Sequence, residues 1–399
     1  LVGWERSKEG GLKCVNMAEL ERQKGVVSHL LKSFGANLVS GRSVVNVSLP
    51  VRVFEPRSFL ERIPDAWGYP IYLVKAAFAA TPVERLQWVV TFMVAGLHRA
   101  VTNLKPFNPI LGETFEAAFK DGTQMWLEQI SHHPPMSAFQ MVGPHRLFHM
   151  HGHHEFAASM SPNSVLGQQL GDNVVDFFDG GRIVYTNPYA LVKGIVWGER
   201  NYTWVGTAHF RDEQNHLSCN VVFNPDEKNG LVRMFSAQKT PDDHFRGDIM
   251  YSPPEKEPKH VPTGDPKAQE KRKRAKPQQV GVVSGSWMDG VNCGPDAEHL
   301  KPFWVKSTIK PLKCVPVENP MPSDSRYRED LIFLLAGDED ESQKWKGVLE
   351  ERQRYDKVLR KNWEKNRKKT IVTSPLPVSQ SHPRLRQSMS DLSVSEKDK

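Results

Sequence analysis

Hydrophobic positions change their spacing several times along this chain, and each change indicates a different kind of element. In residues 16–40 apolar side chains recur at roughly helical spacing, which predicts a short amphipathic helix ending near Gly35. From Val44 they alternate with polar residues, which predicts a strand through LPVRVFEPRS. The stretch from Phe59 to Leu97 is rich in Leu, Val, Trp and Ala and predicts a layer of helices.

Short strand-like runs dominate the middle of the chain. Between Asn108 and Asn224 they are separated by Gly, Asn, Asp and Pro, and they include QMWLEQI, RIVYTN, TWVGTAHF and LSCNVVFN. Two similar runs, VGVVSGSW and KPFWVKSTIK, follow later in the chain. This spacing predicts an antiparallel meander or barrel, so we expect a mostly β protein of the α+β class.

Two later segments have too little apolar content to contribute to a core. Residues 252–279 are rich in Pro and Lys and predict a basic, disordered loop that interrupts the domain without ending it, whereas residues 370–399 predict a disordered tail. Between them, a long helix is predicted from about Asp340, with one face able to pack on the rest of the protein. The residues of that face are Trp345, Val348, Leu349, Arg352, Tyr355, Leu359 and Trp363.

Composition is typical of a globular protein. The chain has 399 residues, of which 39% are hydrophobic and 25% charged, enough for a sizeable core. We find no apolar stretch long enough to span a membrane and no signal-peptide pattern at the start, so we expect a cytoplasmic protein. The first residue is Leu, which is compatible with a chain cut from a longer protein. Four dispersed cysteines predict neither a disulfide framework nor a zinc knuckle.

The net charge of +7 is concentrated in two basic stretches, Lys267–Lys276 and Arg352–Lys369. Neither has the interleaved aromatic residues of a single-strand-binding surface, so we do not expect nucleic acid as a partner. Both stretches are suited to an anionic membrane surface. A solvated linker explains the basic loop equally well.

The first segment that carries candidate chemistry is LKPFNPILGETFE, residues 104–116. Its prolines exclude a central strand or a helix interior, so we expect a rigid turn that presents Lys105 and Asn108. Taken alone, a loop lysine and a turn asparagine are the simpler interpretation.

The second segment is EQISHHPP, residues 128–135, in which paired histidines precede paired prolines. Pro134 restricts His133 to an extended conformation and so fixes the direction of the imidazoles of His132 and His133. Adjacent imidazoles can donate hydrogen bonds to an anion, and a phosphate beside them favours their charged form. Two histidines bonded to neighbouring backbone explain the motif as well.

A histidine-rich strand offers an alternative of a different class. Alternate residues face the same side of a strand, so His149, His151 and His153 could present three imidazoles together, as a zinc-dependent hydrolase would require. However, the sequence has no GxSxG, P-loop or HExxH motif. We therefore do not expect an enzyme or a cofactor, and we assign no catalytic or metal-binding residue.

Taken together, the two motifs resemble the signature pair of the oxysterol-binding protein family. KPFNPILGETFE is followed by EQISHHPP, whose one departure is Ile130, where the family more often has Val. The resemblance extends to LPVRVFEPRSFLERI, NPYALVKGIVWGERNYTWVG, HLSCNVVFNP and PSDSRYREDL. It covers roughly Gly25 to Lys365.

The resemblance implies a near-complete antiparallel β-barrel around an apolar tunnel, with an N-terminal helical lid and C-terminal helices. Residues 16–40 would supply the lid, and residues 25–369 would form the lipid-binding domain after an N-terminal extension of residues 1–24. The implied function is the exchange of a sterol and phosphatidylinositol 4-phosphate, bound in one tunnel, between membranes. Phosphatidylserine as the second lipid, or a sensor without net transport, are alternatives. We expect a monomer that is peripheral on membranes, at endoplasmic-reticulum contact sites.

By the same resemblance, seven residues would bind the phosphoinositide headgroup. They are Lys105, Asn108, His132, His133, Lys346, Glu350 and Arg354. The last three are spaced by four and share one face of the predicted C-terminal helix. From spacing alone they would be surface ion pairs, each worth about 0.3 to 0.5 kcal/mol.

Overall fold

The structure, a computed structural model, describes residues 3–21, 23, 49–224, 240–254 and 276–373. Its described part contains 19 strands, of which 17 form one large sheet. The chain divides into two compact units, residues 1–350 and residues 351–399. All of the described strands lie in the first unit.

The strands are short at both ends of the series and longest in the middle. Their bounds are β1 Trp4–Arg6, β2 Leu12–Cys14, β3 Phe54–Ser58, β4 Lys105–Phe107, β5 Thr114–Ala118, β6 Gln124–His132, β7 Pro135–Val142, β8 Phe148–Ser161, β9 Ser164–Leu170, β10 Asn173–Phe177, β11 Arg182–Tyr185, β12 Tyr189–Lys193, β13 Asn201–Asp212, β14 Leu217–Phe223, β15 His244–Tyr251, β16 Gln278–Ser286, β17 Gly290–Gly294, β18 Lys301–Val305 and β19 Val315–Pro316.

The large sheet is an antiparallel meander. Consecutive strands pair from β5 to β9 and again from β12 to β18. Pairing of β9 with β12 joins the two series, while β10 and β11 connect β8 to β13. The predicted runs QMWLEQI, RIVYTN, TWVGTAHF and LSCNVVFN contribute β6, β11, β13 and β14. The mostly β fold with a large antiparallel sheet is confirmed.

Five α-helices accompany the sheet between residues 49 and 373 of the described chain. They are α1 Phe59–Arg62, α2 Ile71–Ala77, α3 Pro82–Leu97, α4 Glu329–Leu335 and α5 Glu339–Thr373. The predicted helical layer is therefore confirmed. Thr81 caps the N-terminus of α3, where its hydroxyl accepts a hydrogen bond from the Glu84 N–H at 3.1 Å. Eleven of its sixteen residues are buried, more than one face, so α3 is part of the core and packs against β16, β17 and β18. Within the described ranges, no helix is both long and apolar enough to cross a membrane.

One region of the sheet departs from the usual alternation of buried and exposed residues. Along β6, exposed and buried side chains alternate from Gln124 to Ile130, as expected when one face is covered. In β9, by contrast, six of seven residues are half-buried, and so are residues 155–159 of β8. Phe156 in this region packs edge-on against Phe59, with ring centroids 4.4 Å apart. The protein's own side chains leave this part of the sheet less covered than the rest.

The segments around the first motif differ in detail from the prediction. The strand predicted through LPVRVFEPRS begins only at Phe54, because Val51–Val53 form a 3₁₀ turn. The expected rigid turn at KPFNP starts with the short strand β4, which pairs in parallel with β3 and places Phe54 beside Lys105. Pro106 lacks an N–H donor, and a two-stranded ribbon tolerates this where a central strand would not.

Parts of the predicted lid, basic loop and tail cannot be compared with the structure. Residues 24–40, 255–275 and 374–399 lie outside the described residues. The described start of the lid is helical at positions 17–21. Strand β16 begins at Gln278, slightly before the predicted end of the basic loop.

The long helix α5 begins close to the predicted position but is packed over only part of its length. In the first unit its buried positions are Ser342, Lys346 and Leu349, which share one face. In the second unit, three apolar residues of the predicted face are exposed: Tyr355, Leu359 and Trp363. The described part of this unit is a single helix with no other element of its own to cover these residues, and the packing of this part of the face stays a prediction. Residues 370–373, predicted to be disordered, continue the helix.

All four cysteines are free thiols. Cys14, Cys219 and Cys293 are buried, and Cys314 is half-buried. Burial raises the pKa of Cys219 and of Cys314 to about 12, and it raises the pKa of Cys14 and Cys293 as well. These thiols are therefore protonated at neutral pH.

Candidate anion-binding site

Two lysines from distant parts of the sequence meet over one aromatic ring. Lys105 begins β4, and the parallel pairing with β3 places Phe54 next to it. The Lys105 Nζ atom lies 4.8 Å from the centroid of the Phe54 ring, and the Lys346 Nζ atom lies 5.7 Å from the same centroid. An aromatic face attracts a cation through its quadrupole, so Phe54 offers both ammonium groups a favourable surface.

Asn108 and Glu350 complete this group, which we call the lysine cluster (Lys105, Asn108, Lys346 and Glu350). Lys105 Nζ donates to the Asn108 side-chain oxygen and, at 3.3 Å, to the Pro106 carbonyl. Lys346 Nζ donates to Glu350 Oε1 at 2.6 Å, one helical turn along α5. The Lys346 side chain is only 7% exposed, whereas that of Glu350 is 32% exposed. The structure thus brings four of the seven predicted headgroup residues together.

The cluster has more positive charge than its own acid can balance. Burial, together with repulsion from Lys346 and Arg328, lowers the pKa of Lys105 to about 7. Glu350 attracts the Lys105 ammonium but offsets only part of this effect. A lysine with such a pKa is only partly charged at neutral pH, and an anion placed beside it would favour the charged form. The site is therefore arranged to gain from an anionic ligand.

The histidines of the second motif lie at the turn between β6 and β7. His132 is the last residue of β6 and is half-buried, while His133 follows it and is exposed. Their ring centroids are 4.0 Å apart. Backbone hydrogen bonds of 2.9 Å, from Gly112 N to Gln129 O and from Gln129 N to Glu113 O, attach the first motif to the strand that carries them. The two motifs are therefore held in one backbone network.

Arg354, the seventh predicted residue, belongs to the second unit. It is exposed on α5, one turn after Glu350 in the sequence. Its place beside the lysine cluster remains a prediction.

Sequence analysis missed a buried ion network next to the lysine cluster. Arg328 Nη1 donates to Glu113 Oε2 at 2.8 Å and to the Asn108 carbonyl at 2.9 Å. Its Nε and Nη2 atoms donate to the two carboxylate oxygens of Asp330 at 3.0 and 2.7 Å. The Ser58 hydroxyl donates to Glu113 as well. The three charged side chains are at most 6% exposed, so their charges are neutralised by one another rather than by water.

This network fixes the backbone that presents Asn108. Burial alone would lower the pKa of Arg328, but Glu113 and Asp330 outweigh that effect and raise it, so the arginine stays charged. Burial raises the pKa of Glu113 despite its arginine partner. The charged residues within LGETFE and SRYREDL were the available signal, but sequence alone does not distinguish buried charges from surface ones. Phe54 was missed because nothing in LPVRVFEPRS marks it as a cation-binding ring.

The histidine strand forms a different group from the predicted one. His149 and His151 lie on β8 with ring centroids 4.8 Å apart, and Asp176 on β10 completes a set whose potential ligand atoms lie within 4.8 Å of one another. His153 is not a member. Four residues along a strand separate two Cα atoms by about 13 Å, whereas directly opposed residues on neighbouring strands have Cβ atoms about 5 Å apart. The predicted set of three histidines is therefore wrong.

Comparison with known proteins now places the chain in a family. The sequence profile described as "Oxysterol-binding protein" matches residues 36–373. The chain belongs to the oxysterol-binding protein family. It is 34% identical to Oxysterol-binding protein 9 of Dictyostelium discoideum over 361 residues, which cover 88% of this chain and 79% of that protein. It is 32% identical to human Oxysterol-binding protein-related protein 8 over 210 residues, 51% of this chain but only 23% of that relative.

Solved structures of oxysterol-binding protein relatives share the fold. The Osh3 ORD of Saccharomyces cerevisiae in complex with PI(4)P superposes with a TM-score of 0.62 at 21% identity, over 83% of this chain and 84% of that one. The Osh1 ORD domain in complex with ergosterol gives a TM-score of 0.60 at 22% identity, over 86% and 89% of the two chains. The predicted architecture of the family is therefore confirmed at the level of the fold.

Proposed function

We propose that this oxysterol-binding protein family member binds phosphatidylinositol 4-phosphate and a sterol in turn and exchanges them between membranes. The observation that carries the proposal is the lysine cluster, in which two ammonium groups share one ring and the pKa of Lys105 is lowered to about 7. Support also comes from the relatives with the same fold, one in complex with PI(4)P and one with ergosterol.

In this proposal the lysine cluster and the histidine pair hold the headgroup. A phosphate that leaves water requires several charge-assisted hydrogen bonds, and Lys105, His132 and His133 can donate them. Asn108 is exposed and can bond an inositol hydroxyl. Glu350 orients Lys346, and Arg354 would add a second donor from the same helix.

The lipid chains or the sterol would occupy the less covered region of β8 and β9. Each buried CH₂ group contributes about 0.8 kcal/mol, so a mostly apolar ligand gains strongly from leaving water. Both lipids would need the same interior, so binding one displaces the other. A gradient of the phosphoinositide can then drive transport of the sterol, and no covalent step is involved.

The second unit supplies a candidate membrane-binding surface. Its described helix has an exposed apolar face that includes Tyr355, Leu359 and Trp363. Nine lysines and arginines lie between Arg352 and Lys369. Such an amphipathic basic helix can lie in the interface of an anionic bilayer, where each cation contributes about 1 kcal/mol.

Extraction from liposomes tests the proposal directly. Liposomes would carry a fluorescent sterol and labelled phosphatidylinositol 4-phosphate, and wild type would be compared with Lys105→Ala and with His132→Ala/His133→Ala. We expect wild type to extract both lipids, each in competition with the other. Both variants should extract the phosphoinositide at least tenfold less well than wild type and should keep sterol extraction. Lys120→Ala, at an exposed position outside the cluster, is the control and should behave as wild type.

Other outcomes separate the alternatives. If wild type extracts the phosphoinositide but ignores sterol, phosphatidylserine becomes the leading second lipid. If it extracts both lipids but does not move them from donor to acceptor liposomes, the protein is a sensor. Failure to extract either lipid would overturn the proposal.

A further inference from the structure

A second cluster of polar side chains lies on β8 and β10, away from the lysine cluster. In the antiparallel pairing of these strands, Asp176 is directly opposite His149, and His151 follows two residues along β8. All three side chains are half-buried. The His151 Nε2 atom lies 3.0 Å from Asp176 Oδ2. Two positions of one strand and one of its neighbour thus converge on a single point.

These three side chains have the chemistry of a transition-metal site. Imidazole nitrogen and carboxylate oxygen are ligands for zinc, and two ligand atoms about 2.1 Å from a tetrahedral zinc ion lie about 3.4 Å apart. The potential ligand atoms here lie within 4.8 Å of one another. A small rotation of the His149 ring would therefore bring all three within coordination distance.

We propose that His149, His151 and Asp176 bind one divalent transition-metal ion of the zinc type, with water completing the coordination. The site joins β8 to β10 on the surface of the sheet. It goes beyond the proposed lipid exchange, because none of its ligands belongs to the lysine cluster or to the second motif.

Two neighbouring side chains set the strength of this site. Arg182 donates to Asp176 Oδ1 through Nε at 2.5 Å and to Asp176 Oδ2 through Nη2 at 3.1 Å. It fixes the carboxylate, but its positive charge opposes a bound cation; since its side chain is 58% exposed, water screens much of that charge. Gln140 Oε1 lies 3.3 Å from His149 Nε2, a hydrogen bond that a metal ion bound at this nitrogen would replace. Arg182 is therefore the competitor that a metal must overcome.

Titration of the purified full chain with Zn²⁺ tests the proposal, with binding heat and thermal unfolding as readouts. We expect a site in wild type that is weakened at least tenfold by His151→Ala. His153→Ala is the matched control, since it removes an exposed imidazole of the same strand outside the cluster. Arg182→Gln should bind Zn²⁺ more tightly than wild type, because the opposing charge is removed while a polar side chain remains.

Thermal unfolding provides an independent readout. An ion that binds the folded protein more tightly than the unfolded chain raises the unfolding temperature, so saturating Zn²⁺ should do so for wild type and His153→Ala more than for His151→Ala. Far-UV circular dichroism would establish that each variant is folded before titration. Equal Zn²⁺ affinity in wild type and His151→Ala, or no binding by wild type, would overturn the proposal. A larger loss of Zn²⁺ affinity in His153→Ala than in His151→Ala would also overturn it.

Discussion

At the scale of single residues, Arg328 shows how one buried side chain determines the shape of the candidate site. Its guanidinium bonds Glu113, Asp330 and the Asn108 carbonyl at once, and so connects the first motif to the start of α4. Removing it would leave two carboxylates buried without their cation. Such a loss lowers the free energy of unfolding far more than breaking a surface ion pair does, because burial deprives the remaining charges of water.

Replacement of Arg328 by Met should therefore reduce the free energy of unfolding by about 3 to 5 kcal/mol. Urea denaturation followed by circular dichroism measures this change. Arg211→Met is the matched control, because its ion pair with Asp172 joins side chains that are 51% and 48% exposed. We expect the control to lose no more than about 1 kcal/mol. Similar losses in the two variants would contradict a buried network.

The lowered pKa of Lys105 leads to a prediction about pH. Below its pKa of about 7, Lys105 is already charged when the phosphate arrives. Above that pH it must take up a proton on binding, so headgroup affinity should fall with rising pH, by up to about tenfold per pH unit. Binding of a short-chain phosphatidylinositol 4-phosphate, followed by calorimetry from neutral to alkaline pH, measures this slope. Lys105→Arg should flatten it, since arginine remains charged; an unchanged slope would exclude Lys105 as its source.

At the scale of elements, sequence patterns predicted what local spacing determines. Helix α3 and strands β6, β11, β13 and β14 were found because periodicity and flanking turn residues are local signals. The ribbon of β3 and β4 was not, because it joins Phe54 to Lys105 across a helical layer, and no local pattern specifies that pairing. For the same reason, the motifs predicted Lys105 and the histidine pair as candidate site residues, whereas Phe54 and Arg328 became visible as their neighbours only in the structure.

Helix α3 depends on a glycine where it crosses the 3₁₀ turn Ile63–Trp67. A Cβ atom at Gly96 would lie 1.7 Å from the Ala66 carbonyl oxygen, a contact that cannot form without backbone movement. Gly96→Ala should therefore destabilise the protein by about 1 to 3 kcal/mol. Gly347→Ala is the matched control on exposed helix α5, where an added Cβ meets nothing within 4 Å. It should stabilise by about 0.5 to 1 kcal/mol. Thermal unfolding of both variants measures whether each substitution lowers or raises the stability of the protein.

At the scale of the whole molecule, the candidate binding surfaces are divided between two units. The first contains the sheet and the lysine cluster, and the second contributes a basic helix with exposed apolar residues. The proposed function assigns ligand recognition to the first unit, apart from the contribution proposed for Arg354, and membrane binding to the second. Substitutions on the helix beyond Arg354 should therefore change membrane affinity without changing the headgroup site.

Charge reversal on the helix tests this division. Lys361→Glu/Lys365→Glu removes two cations, each worth about 1 kcal/mol at an anionic surface, so binding to phosphatidylserine liposomes should weaken at least about 30-fold. The matched control is Lys120→Glu/Lys301→Glu, at exposed lysines of the first unit. Sedimentation with liposomes measures both, and raising the salt concentration should reduce the difference. Equal weakening in the two variants would indicate a general charge effect instead of a defined surface.

The burial of the cysteines has a practical consequence for following the protein in solution. A thiol reacts as its thiolate, and burial keeps all four native thiols protonated at neutral pH and makes three of them, all but the half-buried Cys314, poorly accessible. Maleimide dyes should thus label the folded chain slowly and a single introduced surface cysteine quickly. One such dye on the second unit would report each encounter with a vesicle. The rate at which the native thiols are labelled, in turn, would measure how often the folded chain opens and exposes them.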